Sequence, residues 1–363
     1  MTANGTRTAA GAVAAAAPKA RLRALRGPGR TSLRVEPRAL LTGVVLAAAT
    51  TVLAVVLIGT GDFEIAPLDV VRTLLGNGSP AHAFIVNDLR LPRVLVAVLV
   101  GAALGMSGAV FQSVSRNPLG SPDLLGFGHG ASVGALTVIV VFKGGATEVA
   151  LGALAGGLLA GAAVYLLAYK RGIQGYRLVL VGIGSSAVLV AVIQYLMTKA
   201  QVVEATRAMV WLTGSLAGRD WAQVWPLLAT CAVLFPVVLG QSRALRTIEM
   251  GDDAAYALGV RVERTRMVLM PAAIVLTTAA AAAAGPISFV ALAAPQLARR
   301  LSRSTGSNLL TGALMGAVLL LASDLASQRA FGADQLPVGV VTGLVGGLYL
   351  LWLLVAERKA GRI

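Results

Sequence analysis

Nine stretches of this chain contain no Asp, Glu, Lys or Arg: Ala39 to Gly59, Val94 to Ser115, Leu124 to Phe142, Val149 to Tyr169, Leu178 to Thr198, Trp221 to Ser242, Met267 to Ala298, Ser304 to Ser323 and Gln335 to Ala356. Most are close to the roughly 20 residues a helix needs to cross the hydrocarbon core of a bilayer. A backbone inside lipid must satisfy its own hydrogen bonds, so such segments fold as helices. The fold class is therefore an all-α polytopic membrane protein. With 56% hydrophobic and 13% charged residues and a mean hydropathy of +0.78, the composition agrees.

Met267 to Ala298 is too long for one ordinary span and carries Gly285-Pro286 near its middle, a turn signal. A turn there makes a full crossing followed by a shorter one and raises the total to ten transmembrane helices. Loop charges decide the parity, because Lys and Arg gather on the cytoplasmic side. With ten crossings and the N-terminus inside, most of the 31 Lys and Arg fall inside: the N-terminal tail, Arg116, Lys170 to Arg177, Arg243 to Arg266, Arg299 to Arg303 and the C-terminus. A nine-helix count would put Arg299, Arg300, Arg303 and the C-terminal cations outside. Both termini are therefore expected to be cytoplasmic. The formal net charge of +15 becomes a topology signal and not a sign of nucleic-acid binding.

Three regions follow. Residues 1–38 are Ala-rich and basic, cannot build a core, and are expected to form a disordered cytoplasmic tail. Its charge suits retention inside, and contact with anionic membrane lipid is a second use. Residues 39–356 form the transmembrane domain, and 357–363 a short cytoplasmic C-terminus.

Several chemistries find no support. Cys231 stands alone, and His82 and His129 have no metal-ligand spacing, so no metal site or cofactor is expected. No ionisable residue lies in the middle of an expected span, whereas ion-coupled carriers usually need one. No Gly-Lys is followed by Ser or Thr, so the chain lacks a nucleotide-binding P-loop and is not expected to be an enzyme. If transport is active, a separate subunit hydrolyses the nucleotide. Gly182-Ile-Gly-Ser-Ser-Ala187 imitates a dinucleotide fingerprint but sits in an apolar span. It reads better as helix packing, like the small-xxx-small pairs Gly101/Gly105, Gly152/Gly156, Gly157/Gly161, Gly312/Gly316 and Gly339/Gly343.

Three charged or turn-rich segments interrupt the apolar pattern. Gly251-Asp252-Asp253-Ala254-Ala255-Tyr256-Ala257-Leu258-Gly259-Val260 reads as a short helix outside the membrane, offered to a partner. Arg116 to Gly126 joins spans two and three with turn residues. Arg90-Leu91-Pro92-Arg93 puts two cations at the outer mouth of span two, either as interfacial anchors or as partners for acids on an external protein.

Arg90-Leu-Pro-Arg93, Gly105-Met-Ser-Gly108-Ala-Val-Phe-Gln112 and Asn117-Pro-Leu-Gly-Ser-Pro-Asp123 resemble the iron-chelate permease family. These are the membrane subunits of ATP-driven importers for siderophores, haem and cobalamin. Trp211-Leu-Thr-Gly-Ser-Leu216, Gly251-Asp-Asp253, Leu258-Gly-Val260, Gly285-Pro-Ile-Ser-Phe289 and Leu336-Pro-Val-Gly339 continue the likeness in order. Within the family it is greatest toward ferric catecholate permeases. The resemblance implies the type II ABC importer permease fold in a bacterial inner membrane. It also implies a ferric siderophore cargo of the enterobactin class, an ATP-binding subunit, a second permease subunit, more readily a different chain than a copy, and an extracytoplasmic substrate-binding protein.

The resemblance further implies ATPase-coupling contacts at Gly251, Asp252, Asp253, Ala257, Leu258 and Gly259, and docking of the binding protein on Arg90 and Arg93. A third docking arginine is displaced: Gln328 stands four residues after Asp324 and Arg329 comes one later. Gln112, Asn117, Pro118, Ser121 and Pro122 are assigned to the translocation pathway or its gate. Gln296 and Gln335 replace frequent His and Glu residues of the family without threatening the fold.

Overall fold

The computed structural model describes residues 23–26, 32–35, 37–61, 63–169, 175–304, 306–330 and 336–359. Gln335, most of the N-terminal tail, Lys170 and the last four residues lie outside this set. Within the tail, β1 (Arg23–Arg26) pairs antiparallel with β2 (Ser32–Val35). Two strands of this length carry no core and are marginal by themselves.

The other regular elements among the described residues are helices. In chain order come α1 (Pro37–Gly59), α2 (Pro67–Leu74), α3 (Pro80–Phe84), a π-helical turn at Ile85–Arg90 and α4 (Leu91–Ser115). Then follow α5 (Phe127–Leu136), extended by a second π turn at Thr137–Phe142, α6 (Ala146–Ala168) and α7 (Gly175–Lys199). Next are α8 (Val202–Leu212), α9 (Trp221–Gly240), α10 (Ser242–Glu249) and α11 (Asp252–Ala257). The chain ends in α12 (Val262–Ala284), α13 (Val290–Ser302), α14 (Leu309–Arg329) and α15 (Val338–Lys359).

Among the described residues seven helices are long and apolar enough to cross a membrane, and Phe127–Phe142 and Val338–Leu353 are shorter apolar ones. With the 13-residue α13 these supply the ten crossings expected. The Gly285-Pro286 turn is confirmed: Gly285 closes α12 with φ 77°, a conformation open to glycine. At 1.5 Å per residue α13 spans only about 20 Å, so it returns from inside the bundle.

Other boundaries differ from the sequence reading for identifiable reasons. The second crossing begins before Arg90, because Pro80–Ser115 is continuously helical. The wide π turn just before Pro92 accommodates a residue that has no N–H to donate. The third crossing starts at Phe127 rather than Leu124. The short helices α2, α3, α8 and α10 were not foreseen.

The centre of the bundle is α4, wrapped by α12, α13 and α14, with the fully buried Phe111, Met106, Leu269 and Met270 at its core. Backbones touch there. A Cβ on Gly101 would lie 2.4 Å from the Gly316 carbonyl oxygen, and one on Gly105 2.2 Å from that of Gly312. Gly134 and Gly152 bring α5 and α6 together in the same way. Gly157 and Gly161 face Thr278 and Ile274 of α12, and Gly339 meets the backbone of Thr213. Of the predicted packing pairs, Gly343 is the one member that meets nothing among the described residues. Lipid offers no hydrophobic drive between helices, so close van der Waals approach does the joining.

Candidate functional site

The outer arginines have intrachain partners. Arg90 donates from Nη1 to the Ile58 carbonyl at 2.8 Å and from Nη2 to that of Phe63 at 2.7 Å. Arg93 forks onto Asp324, which is fully buried on α14, with Nη2 to Oδ1 at 2.7 Å and Nε to Oδ2 at 3.2 Å. Gln328 completes the cluster by donating to Asp324 Oδ2 at 2.9 Å. The sequence reading placed Arg93 at an external interface and gave Asp324 no role. The structure makes the pair a tie between α4 and α14, 231 residues apart in sequence. Arg90, Arg93 and Gln328 still line an open depression of about 430 Å³ with Thr60, Phe63 and Gly218. Arg329 is exposed beyond it.

On the opposite face, the loop from Arg116 to Gly126 turns back into the bundle. Asn117 Oδ1 accepts from the Leu119 N–H at 2.9 Å, and Ser121 is buried. Two contacts to α13 hold this loop. Gln296 Nε2 donates to the Pro118 carbonyl at 2.7 Å, and the Phe289 backbone N–H donates to the Asp123 carboxylate. Gln112, on α4, is buried and donates to the Leu292 carbonyl of α13 at 2.9 Å. Of the predicted gate residues, Gln112 and Pro118 both bond to α13, Asn117 donates its N–H to the Gln112 carbonyl, and Ser121 and Pro122 lie on the same loop. Gln296, noted only as a departure from the family pattern, is one of the loop's fasteners.

Within Gly251 to Val260 the structure forms one short helix, α11, and a further helix, α10, precedes it. Gly251, with φ 118°, breaks α10 from α11, and Gly259, with φ 77°, ends the following turn. Ala255 is buried, whereas Asp253, Ala257, Leu258 and Gly259 are exposed. Met250, Tyr256 and Leu258 present an exposed apolar patch outside the membrane-crossing helices. Such a patch is the mark of an interaction surface.

Two carboxylates tie this patch to the bundle. Asp252 forms a fork with Arg266 of α12 at 2.9 and 3.1 Å and lies 3.9 Å from Arg116 at the end of α4. Glu249 accepts a short hydrogen bond from Ser113 of α4 and lies 3.9 Å from Arg299 of α13. Sequence reasoning assigned Asp252 but missed Glu249, Arg266 and Arg299. Glu249 lay in the same charged loop, but no spacing rule joins it to Ser113. Among the described residues no group of three or more His, Cys, Asp or Glu could hold a metal ion.

The sequence profile of the FecCD transport family matches residues 39–356. Over 325 residues, covering 90% of this chain and 98% of the relative, the chain is 45% identical to the ferric enterobactin transport system permease protein FepG of Escherichia coli (strain K12). It is 37% identical to the Fe(3+)-citrate import system permease protein YfmE of Bacillus subtilis (strain 168), covering 91% and 99% of the two chains. Against the vitamin B12 import system permease protein BtuC of Escherichia coli O127:H6 (strain E2348/69 / EPEC) it is 36% identical, covering 78% and 86%. The fold matches a metal-chelate type ABC transporter in an inward-facing conformation, with a TM-score of 0.76, 25% identity and coverage of 88% and 99%. With a family profile over nearly the whole helical region and relatives above one-third identity along almost their full length, the chain belongs to the FecCD transport family.

Proposed function

We propose that this chain is the permease subunit of an ABC importer that carries a ferric siderophore of the catecholate class across a bacterial inner membrane. That it is a permease of an iron-chelate type importer, and not itself an enzyme, follows from its family. The catecholate cargo rests on one observation, the 45% identity to the ferric enterobactin permease over 98% of that protein. Both termini are read as cytoplasmic from the distribution of Lys and Arg. The partners are an ATP-binding subunit, a second and different permease chain, an extracytoplasmic binding protein and the surrounding lipid.

In this reading the binding protein docks on the face that carries Arg90, Arg93 and the exposed Arg329. The Arg93 fork to Asp324 leaves Arg329 and the rim of the depression as the more available cationic surface. The ATPase engages Met250, Tyr256 and Leu258, with Gly251, Asp252, Asp253, Ala257 and Gly259 setting the shape of the surface. Closure of the ATPase dimer moves α10 and α11. Their two carboxylates pass the motion to α4, α12 and α13, and the junction at Gln112, Asn117, Pro118, Ser121 and Pro122 opens or closes. The permease performs no covalent chemistry. It holds a conformational equilibrium that its partners bias through differential contacts.

The test is uptake of labelled ferric catecholate into proteoliposomes holding the permease pair and ATPase, with binding protein added outside. ATP-dependent accumulation that requires the binding protein is the expected result. Stimulated ATP hydrolysis without entry of that cargo would leave the importer standing and overturn the catecholate assignment. A Gly259→Pro variant should insert normally yet lose coupling. Its φ of 77° is closed to proline, and its N–H, which donates to the Tyr256 carbonyl at 2.9 Å, would be lost. Normal uptake by that variant would remove residues 251 to 260 from the coupling path.

A further inference from the structure

The sequence places Asp123 in a connecting loop, outside the crossing helices. The fold returns that loop to the bundle, where Asp123 lines a pocket of about 80 Å³ with Leu104 of α4, His129 of α5 and Thr277 of α12. One carboxylate oxygen accepts from the Phe289 N–H at the start of α13, but Oδ2 is buried and has no hydrogen-bond partner among the described residues. An ionised oxygen in that position is costly, because a buried charge needs a partner or must be neutralised. His129 is the other titratable side chain lining the pocket, and its Nδ1 is engaged with Ser186 Oγ of α7 at 2.7 Å. Among the described residues no lysine or arginine lines the pocket.

We propose that this pocket is a proton-binding site: Asp123 takes one proton from water while its loop is docked on α13 and returns it to water when the loop leaves. Neutralisation removes the cost of the buried Oδ2 and keeps the hydrogen bond from Phe289. Deprotonation restores a charge that a solvated loop carries at lower cost than a docked one. Docking of the gate loop is thereby linked to pH, by a group that the ATP-driven reading does not use.

Burial pushes the Asp123 carboxyl from its ordinary 3.8 up to about 6, against a smaller downward pull from the Phe289 N–H. Because the docked value is the raised one, protons favour docking. The docked state gains as pH falls from above about 6 toward 3.8, and loses as pH rises through that window. Between about pH 5 and about pH 8 the docking equilibrium should shift roughly tenfold toward the released loop.

The direct test is infrared spectroscopy of the full chain in lipid, titrated with acid, with the spectrum of Asp123→Asn subtracted to isolate this carboxyl. The expected result is a protonated carboxyl band present at about pH 5 and replaced by a carboxylate band by about pH 8, with a midpoint well above that of an exposed carboxylate. A carboxylate band already complete at about pH 5 would overturn the proposal. Asp123→Ser serves as a second subtraction reference if the first variant inserts poorly.

The consequence for transport rests on the importer reading and is measured separately, as ATP-dependent uptake at the two pH values. The ratio of wild-type to Asp123→Asn rates should change several-fold between them. A constant ratio would break the link to gating even if the band titrates. Absence of uptake in both chains, with the band intact, would instead strike the importer reading and leave the proton site standing.

Discussion

Asp324 is the residue whose environment most changes the reading of its neighbours. It is fully buried, and its charge is met by the Arg93 fork and by the Gln328 amide. Removing one partner from a buried pair strands the other, at a cost of about 3–5 kcal/mol. Arg93→Ala should therefore lower the thermal stability of the purified permease by an amount of that order, before any partner is present. Adding Asp324→Leu to Arg93→Ala should recover much of the loss, because two apolar replacements leave no orphan charge. Equal stability of wild type and Arg93→Ala in a thermal melt would show that the pair carries no structural weight. Arg329→Glu, on an exposed residue, should leave the melt unchanged. It should instead weaken binding-protein docking, with a marked dependence on salt. On this proposal the three cations at this mouth divide between structure and recognition, a division that the sequence does not show because it does not pair Asp324 with Arg93.

At the scale of helices, α13 is positioned by its closeness to α4. A Cβ on Gly108 would fall 1.8 Å from the Ala291 carbonyl oxygen, so alanine there must push α13 away and with it Gln296, Phe289 and Leu292. Overpacking of a tight core costs about 1–3 kcal/mol. Gly108→Ala should destabilise the protein by at least that much in a thermal melt and abolish uptake. Gly184→Ala on α7, where nothing lies within 4 Å, should be tolerated or slightly stabilising. If Gly108→Ala transported normally, α13 would not be held as described. These two glycines show what the sequence can carry. Small-residue spacing announces a close approach, but it names no partner, and Gly184 sits beside Gly182 with the same composition and no contact. The ten crossings were legible because apolar length and loop charge are local properties, read one segment at a time. The inward course of residues 117 to 126 was not, since Pro, Asn and Gly make the same turns at a surface or inside a bundle. Nor was α10, eight residues with two arginines, which local composition cannot tell from a charged loop. The tie between Arg93 and Asp324 crosses 231 residues and belongs to the assembled bundle alone.

For the whole molecule, the proposed coupling requires that a push on α10 and α11 reach the proposed gate. A patch of Met250, Tyr256 and Leu258 can receive force but is poorly suited to transmit it, because among the described residues these side chains make no hydrogen bond or ion pair to another helix. Glu249 and Asp252 can, being the acids that bind the ends of α4, α12 and α13. Those helices in turn hold the loop through Gln112 and Gln296. Coupling of this kind requires an element with two arrangements that both sites bias. Neutralising both carboxylates, Glu249→Gln with Asp252→Asn, should leave ATP hydrolysis by the assembled transporter near its wild-type rate while transported cargo per ATP falls. A coupling free energy of about 1–3 kcal/mol corresponds to roughly 5- to 150-fold, and the loss should lie in that range. Exchanging the charges of one pair, Asp252→Arg with Arg266→Asp, should restore part of the ratio, whereas either change alone should not. An unchanged ratio in the double-neutral variant would move the transmission path elsewhere, to the packed apolar contacts of Ala255 and Ile248 beneath the coupling surface.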